Sequence, residues 1–187
     1  MLLPIAAAVL IAASIVIAVW GNRQDPLVSP GDTVYLFGDS LAVGLTPYLR
    51  KLAEADGVWF GADGEVGSTI DKWGSRGPDG AAAAKAKVAI IVIGTNDAVT
   101  NPDWQAAFAG KAAALVSSLR AQGIEPVWVN PPTMPFSTDT ILAGIAASGA
   151  RVFPSQRLTI ERSGDLIHPT LPARDAWAQE IWQALRT

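Results

Sequence analysis

Val88-Ala89-Ile90-Ile91-Val92-Ile93 is an unbroken apolar run in which every residue but Ala89 is β-branched. With no polar position to offer water on either side, such a strand has to be covered on both faces. That places it at the centre of a parallel sheet flanked by helices. Shorter runs of the same kind bracket it: Val34-Tyr35-Leu36-Phe37 ending at Gly38, Val58-Trp59-Phe60, Pro126-Val127-Trp128-Val129 stopped by Pro131-Pro132, and Arg151-Val152-Phe153. Between them lie helical patterns. Leu41 to Ala55 carries Leu41, Leu45, Leu49 and Leu52 at helical spacing, with Pro47 expected to bend or shorten its first turns. Ala81 to Ala86 is helical by propensity. Pro102 opens a long helix to about Gln122 with Gly123 as its stop, Ile141 to Ser148 forms a shorter one, and Pro172 starts the last. Strand and helix alternate, which predicts an α/β fold with a mostly parallel sheet and helices on both faces.

The bulk composition removes several function classes. Half of the 187 residues are apolar and the formal net charge is −3. The cations at Arg50-Lys51, Lys85, Lys87 and Arg174 are scattered and read as solvated surface, so no nucleic-acid partner is expected. The chain has no cysteine and a single histidine. A disulfide framework and a thiolate metal site are therefore excluded, and a zinc centre would need a nearly all-carboxylate ligand set. No metal centre is expected.

The N-terminus departs from this ordinary composition. Leu2 to Trp20 is apolar apart from Pro4 and Ser14, and as a helix it would span about 28 Å, close to the hydrocarbon thickness of a bilayer. Trp20 stands where an interfacial aromatic would, before the polar exit Gly21-Asn22-Arg23-Gln24-Asp25-Pro26. A cleaved signal segment would want a basic start and a small-x-small site, and Ala18-Val19-Trp20 supplies neither. The expectation is a transmembrane anchor over residues 1–21, with a cleaved signal segment as the alternative. A linker over residues 22–32 and a folded domain over residues 33–187 follow. Flanking charges are too few to set the orientation.

Three motifs fall at strand ends. Gly38-Asp39-Ser40 follows the first strand, Gly67 lies in the loop after the second, and Gly94-Thr95-Asn96-Asp97 follows the third. In an open α/β sheet these loops share one rim, where ligands bind. The only histidine comes late, in Asp165-Leu166-Ile167-His168. Serine is a poor nucleophile until a base takes its proton, and that base needs a third group to orient it. Ser40 is thus the candidate nucleophile, His168 its base and Asp165 the orienting acid. The backbone N–H of Ser40 at a helix start, the N–H of Gly67 and the side-chain amide of Asn96 are candidate oxyanion donors. Each part also has an ordinary explanation: a helix cap at Asp39 or Ser40, turn chemistry at Gly94–Asp97 and around Gly67, a loop histidine before Pro169. Gly-Asp-Ser arises by chance in roughly one chain in twenty of this size, and Asp-x-x-His in about one in five. All of them in this order, at strand ends, is an accident in well under about one chain in a hundred. The pattern also differs from the α/β-hydrolases, whose nucleophile sits in G-x-S-x-G; here Leu41-Ala42 follows Ser40.

The order Ser40, Gly67, Asn96, His168 resembles the SGNH hydrolase superfamily, which contains the GDSL esterases and lipases. The resemblance runs from about Thr33 to Arg186. It rests on Gly38-Asp39-Ser40-Leu41, on Gly67 followed by Ser68-Thr69, on Gly94-Thr95-Asn96-Asp97, and on Asp165-Leu166-Ile167-His168-Pro169-Thr170. It implies a three-layer α/β/α, flavodoxin-like sandwich with a five-stranded, mostly parallel sheet. It also implies ester hydrolysis without a cofactor, with Ser40, Asp165 and His168 as catalytic residues and Ser40, Gly67 and Asn96 as the oxyanion hole. Asp39 and Asp97 belong to the motifs as loop braces. Two positions depart from the family pattern: Glu65 stands close to Gly67, and Ala173-Arg174 replaces a Gly-Tyr-like pair.

A chain this short, without an inserted domain, is expected to have a shallow, open cleft suited to small acyl groups such as acetyl. Trp73, Trp104 and Pro131-Pro132-Thr133-Met134 are candidates to line it, or to pack in the core. The leading expectation is a membrane-anchored serine esterase outside the cytoplasm, acting on a small acyl ester or on acetylated cell-envelope carbohydrate. If the N-terminal segment is cleaved, the enzyme is secreted. An acyltransferase that passes the acyl group to or from a glycan hydroxyl is the second reading, and a catalytically idle binding module the third.

Overall fold

The computed structural model describes residues 26–187. The anchor expected over residues 1–21 lies outside the described residues, as does the first part of the linker. Among the described residues no helix is long and apolar enough to cross a membrane.

Five strands pair in parallel: β1 (Thr33–Gly38), β2 (Trp59–Gly64), β3 (Val88–Val92), β4 (Glu125–Val129) and β5 (Arg151–Phe153). Their order across the sheet is β2-β1-β3-β4-β5, and every residue of the central β3 is buried. The helices are α1 (Ser40–Ala55), α2 (Arg76–Ala83), α3 (Pro102–Ala121), α4 (Asp139–Ala147) and α5 (Leu171–Arg186). Alternation along the strands divides the apolar residues into two cores. Val34, Leu36, Val88, Ile90 and Val127 meet Leu45 and Leu49 of α1 and Ile181 and Leu185 of α5 on one face. Phe37, Ala89, Ile91 and Trp128 meet Phe108 and Leu115 of α3 and Ile141 of α4 on the other. Each fully buried aliphatic side chain contributes about 1.5–3 kcal/mol, and the three-layer α/β/α sandwich covers both faces of the sheet.

Differences from the sequence reading concentrate at the edges. β2 extends to Gly64, well past Phe60, because an edge strand can be held by its main-chain ladder to β1. Gly61-Ala62-Asp63-Gly64 has none of the side-chain pattern by which strands are recognised. α2 begins at Arg76 rather than at Ala81 and takes in Gly77 and Pro78. The glycine is a spacing device: a Cβ at Gly77 would stand 2.4 Å from Cε2 of Phe37. α1 starts at Ser40 and runs through Pro47 without being shortened, with Pro47 on its exposed side. Packing also reaches back before Thr33. Leu27 and Val28 are buried, and their N–H groups both donate to the Leu185 carbonyl, at 2.9 and 3.2 Å.

From β1 the chain moves outward to β2 and then returns to the other side of β1 as β3. The connections after β1 and β3 therefore diverge to opposite faces and open a crevice at the strands' carboxyl ends. Both motif loops border it.

Candidate active site

Gly38 closes β1 opposite Val92 of β3, with φ at +153°. A Cβ there would fall 2.0 Å from the Val92 carbonyl oxygen, so only glycine lets the two strands stay paired to their ends. The N–H of the next residue, Asp39, donates to that same carbonyl at 3.0 Å. Asp39 is fully buried and caps α1, its Oδ1 accepting from the Leu41 N–H at 2.9 Å. Burial pushes its carboxyl up to about 7, the nearby Asp97 charge adds to this, and backbone N–H groups oppose it. With the cap made by Asp39, Ser40 becomes the first residue of α1 and its hydroxyl is free to turn outward.

That hydroxyl meets His168: Oγ lies 2.8 Å from Nε2. On the other side of the ring, Nδ1 lies 2.6 Å from Oδ2 of Asp165. An ionised carboxylate only accepts, so the proton belongs on Nδ1, and Nε2 is left as the acceptor for the Ser40 O–H. The hydrogen bond from His168 holds the Asp165 carboxyl far below the usual range. The N–H groups of His168 and Ile167, both 2.9 Å from Oδ1, and the Ser163 hydroxyl act in the same direction.

The loop that carries this pair is a tight hairpin. Arg162 and Pro169 form an antiparallel bridge, Ser163 N–H donates to the His168 carbonyl at 2.8 Å, and Thr170 N–H to Glu161 at 3.0 Å. Leu166 at its tip takes φ +61°, which costs a non-glycine residue about 1–2 kcal/mol. Arg162 ties the hairpin down, donating to the carbonyls of Ile167 at 2.6 Å and Thr133 at 2.8 Å. Sequence reasoning missed Arg162, since a single arginine before a loop carries no motif.

The oxyanion candidates lie on two neighbouring loops. Gly67 sits in an exposed turn closed by Ser68 N–H to the Glu65 carbonyl at 3.2 Å, with φ +77°. Asn96 reaches this loop, Nδ2 donating to the Ser68 carbonyl at 2.9 Å. One of its two N–H bonds is thereby fixed and the other is oriented by it. Asp97 braces the same loop from below, accepting from Ile70 N–H at 3.2 Å and from Trp104 Nε1 at 3.0 Å. Burial raises its carboxyl. The Glu65 charge near Gly67 is taken up by Arg76 at 2.6 Å and Lys72 at 3.0 Å.

Of the two readings open for Trp73, lining a cleft or packing in the core, the structure has the second. Trp73 is fully buried against Phe37 and donates to Ser68 Oγ at 2.9 Å, and Trp104 supports Asp97. Their aromatic bulk serves the loop that carries Gly67. The space beside Ser40 is instead an open groove of about 410 Å³ between α1 and the start of α5. Val43, Pro47, Val66 and Leu171 form its walls, with His168 and Arg174 along one side. Arg174, read from sequence as solvated surface, is half-buried there, its Nε donating to the Pro169 carbonyl at 2.9 Å.

The sequence model of a family described as "Protein of unknown function (DUF459)" matches residues 33–140. The chain belongs to the DUF459 family. The matched region holds Ser40, Gly67 and Asn96, while Asp165 and His168 lie beyond it. No curated protein sequence matches this DUF459 chain. Solved structures do. A lipase/acylhydrolase from Enterococcus faecalis superposes with a TM-score of 0.69 at 16% identity, over 83% of this chain and 95% of that one. The acetyl xylan esterase AlAXEase gives 0.67 at 15% identity, over 81% and 98%. A catalytic mutant of an acetylxylan esterase from Geobacillus stearothermophilus gives 0.63 at 12% identity, over 86% and 96%. At these identities the likeness establishes the fold, which is the one expected from the SGNH resemblance.

Proposed function

We propose that this DUF459 protein is a serine esterase that removes small acyl groups, acetyl above all, from carbohydrate. The observation that carries the reading is the continuous hydrogen-bonded line from Ser40 Oγ through both nitrogens of His168 to Asp165. In this mechanism Ser40 Oγ attacks the acyl carbon as its proton passes to His168 Nε2. The N–H groups of Ser40 and Gly67 and the Asn96 amide receive the developing oxyanion. The ester C–O bond then breaks, His168 returns the proton to the departing alcohol oxygen, and water repeats the sequence on the acyl-serine. Asp165 keeps the ring in the productive tautomer throughout.

The acetyl and carbohydrate assignments draw support from the open groove and from two neighbours whose names are acetylxylan esterases. The place of action we assign is the outer face of a membrane, reached through the apolar segment Leu2–Trp20. The deciding experiment is hydrolysis of p-nitrophenyl acetate by the full-length protein beside Ser40→Ala, with melting curves for both. Turnover in the parent protein and its loss in a folded Ser40→Ala variant is the expected result. A folded parent protein without turnover overturns the hydrolase reading in favour of a dedicated acyltransferase or an idle binding module.

A further inference from the structure

We propose that the groove beside Ser40 holds the alcohol half of the ester, and that Arg174 recognises an anionic group on it, a carboxylate or phosphate borne by the sugar. This rests on the esterase reading and narrows it to acidic carbohydrate.

The side of the site follows from the proton's path. The departing alcohol oxygen takes its proton from His168 Nε2, so the alcohol has to leave on the imidazole's side, while the acyl oxygen faces the oxyanion donors. The groove is bordered by Ser40 and His168, whereas Asn96 and Gly67 are not part of its lining. It therefore lies on the alcohol's side of the site.

Arg174 is set up differently from most of the described arginines. Arg76 spends its guanidinium on Asp63 and Glu65, Arg162 spends both Nη atoms on loop carbonyls, and Arg120 donates to Gly149. Arg174 donates only through Nε, to Pro169 next to the base, and among the described residues its Nη1 and Nη2 meet no acceptor. Its side chain lies across Gly44, where a Cβ would already be 3.5 Å from Cδ, Nε and Cζ. The planar fork is thus held against the groove with its paired donors unspent, the arrangement that suits a carboxylate or phosphate. Among the described residues no Asp or Glu lines the groove to repel an anion. Exposed Val43 and Leu171 supply apolar walls of the kind the C–H face of a sugar ring packs against.

The test uses two acetates with similar leaving groups, 3-carboxyphenyl acetate and 3-carbamoylphenyl acetate, which differ in charge and form the same acetyl-enzyme. The full-length protein is expected to favour the carboxylate in kcat/KM by about tenfold or more at low ionic strength. That ratio should fall towards one in Arg174→Gln, recover in part in Arg174→Lys, and shrink with added salt. A ratio of one in the parent protein, or an unchanged ratio in Arg174→Gln, overturns the proposal. A second measurement is independent of turnover: binding of trigalacturonate to Ser40→Ala by calorimetry, expected to weaken at least about tenfold when Arg174→Gln is added. Arg174-dependent binding without ester turnover would sink the esterase reading and leave the anion subsite standing. Turnover without charge preference would do the reverse.

Discussion

Asn96 holds the Ser68 carbonyl through its side-chain nitrogen at 2.9 Å, so the side chain proposed as one oxyanion donor also fixes the loop that carries the other, Gly67. Removing it strikes both. Asn96→Ala is expected to lower kcat by about 10²–10³ while KM changes little, since the donor acts on charge that develops in the transition state. Steady-state kinetics on p-nitrophenyl acetate would check this. An unchanged kcat would remove Asn96 from the mechanism.

Asp165→Asn keeps the size of the side chain but can present its amide to His168 Nδ1 and favour the wrong tautomer. A loss of about 10⁴ in kcat is the expected outcome, as for other triads in which the acid becomes an amide. The fold should be untouched, because the pair lies at the surface, with side chains 31% and 49% exposed. Circular dichroism beside the kinetics separates the two effects.

Asp39 makes stability depend on pH. Its carboxyl titrates at about 7 in the folded chain against 3.8 as the reference value, so the folded state binds the proton more tightly. Its stabilising contribution is full below about pH 4 and is lost as the pH rises through the raised folded value. The raised carboxyl of Asp97 has the same sign. Asp39→Asn preserves an N-cap acceptor and removes the titration. Its Tm is expected to decline less between pH 4 and 7 than that of the parent protein; equal slopes would refute the assignment.

Gly77→Ala opposes helix propensity to packing. In an isolated helix the change would stabilise by about 1 kcal/mol. Here the added Cβ would meet the Phe37 ring at 2.4 Å, and overpacking of this kind costs about 1–3 kcal/mol. Net destabilisation in urea unfolding is the expected sign, and a more stable variant would mean that α2 can move off the sheet.

What the sequence made legible follows from how strongly each residue is constrained alone. β3 and the strand-end motifs could be read because burial on both faces permits only apolar residues, and because Ser40, Asn96 and the single histidine, His168, stand in a telling order. The start of α2 could not, since Gly77 and Pro78 are sensible only once Phe37 lies beneath them. β2 was cut short for a similar reason, its last residues being held by main-chain pairing with β1. Arg162 and Arg174 escaped because their meaning lies in which carbonyls they reach or leave unreached. For Trp73 and Trp104 the sequence left cleft and core both open, since nothing in it shows that Ser68 and Asp97 accept their indole N–H groups.

Ser40 starts α1 directly after β1, which is paired to β2 and β3 up to Gly38, whereas His168 rides on a hairpin closed by one bridge, a few main-chain bonds and the grip of Arg162. The two halves of the proposed proton relay thus belong to regions of unequal local stability. On heating, the hairpin is expected to release the base while the sheet is still whole, so that activity fades at a lower temperature than the global melt and returns on cooling. Thermal inactivation and thermal unfolding would be two separate transitions in this molecule, with the gap between them set by how firmly one arginine holds a loop.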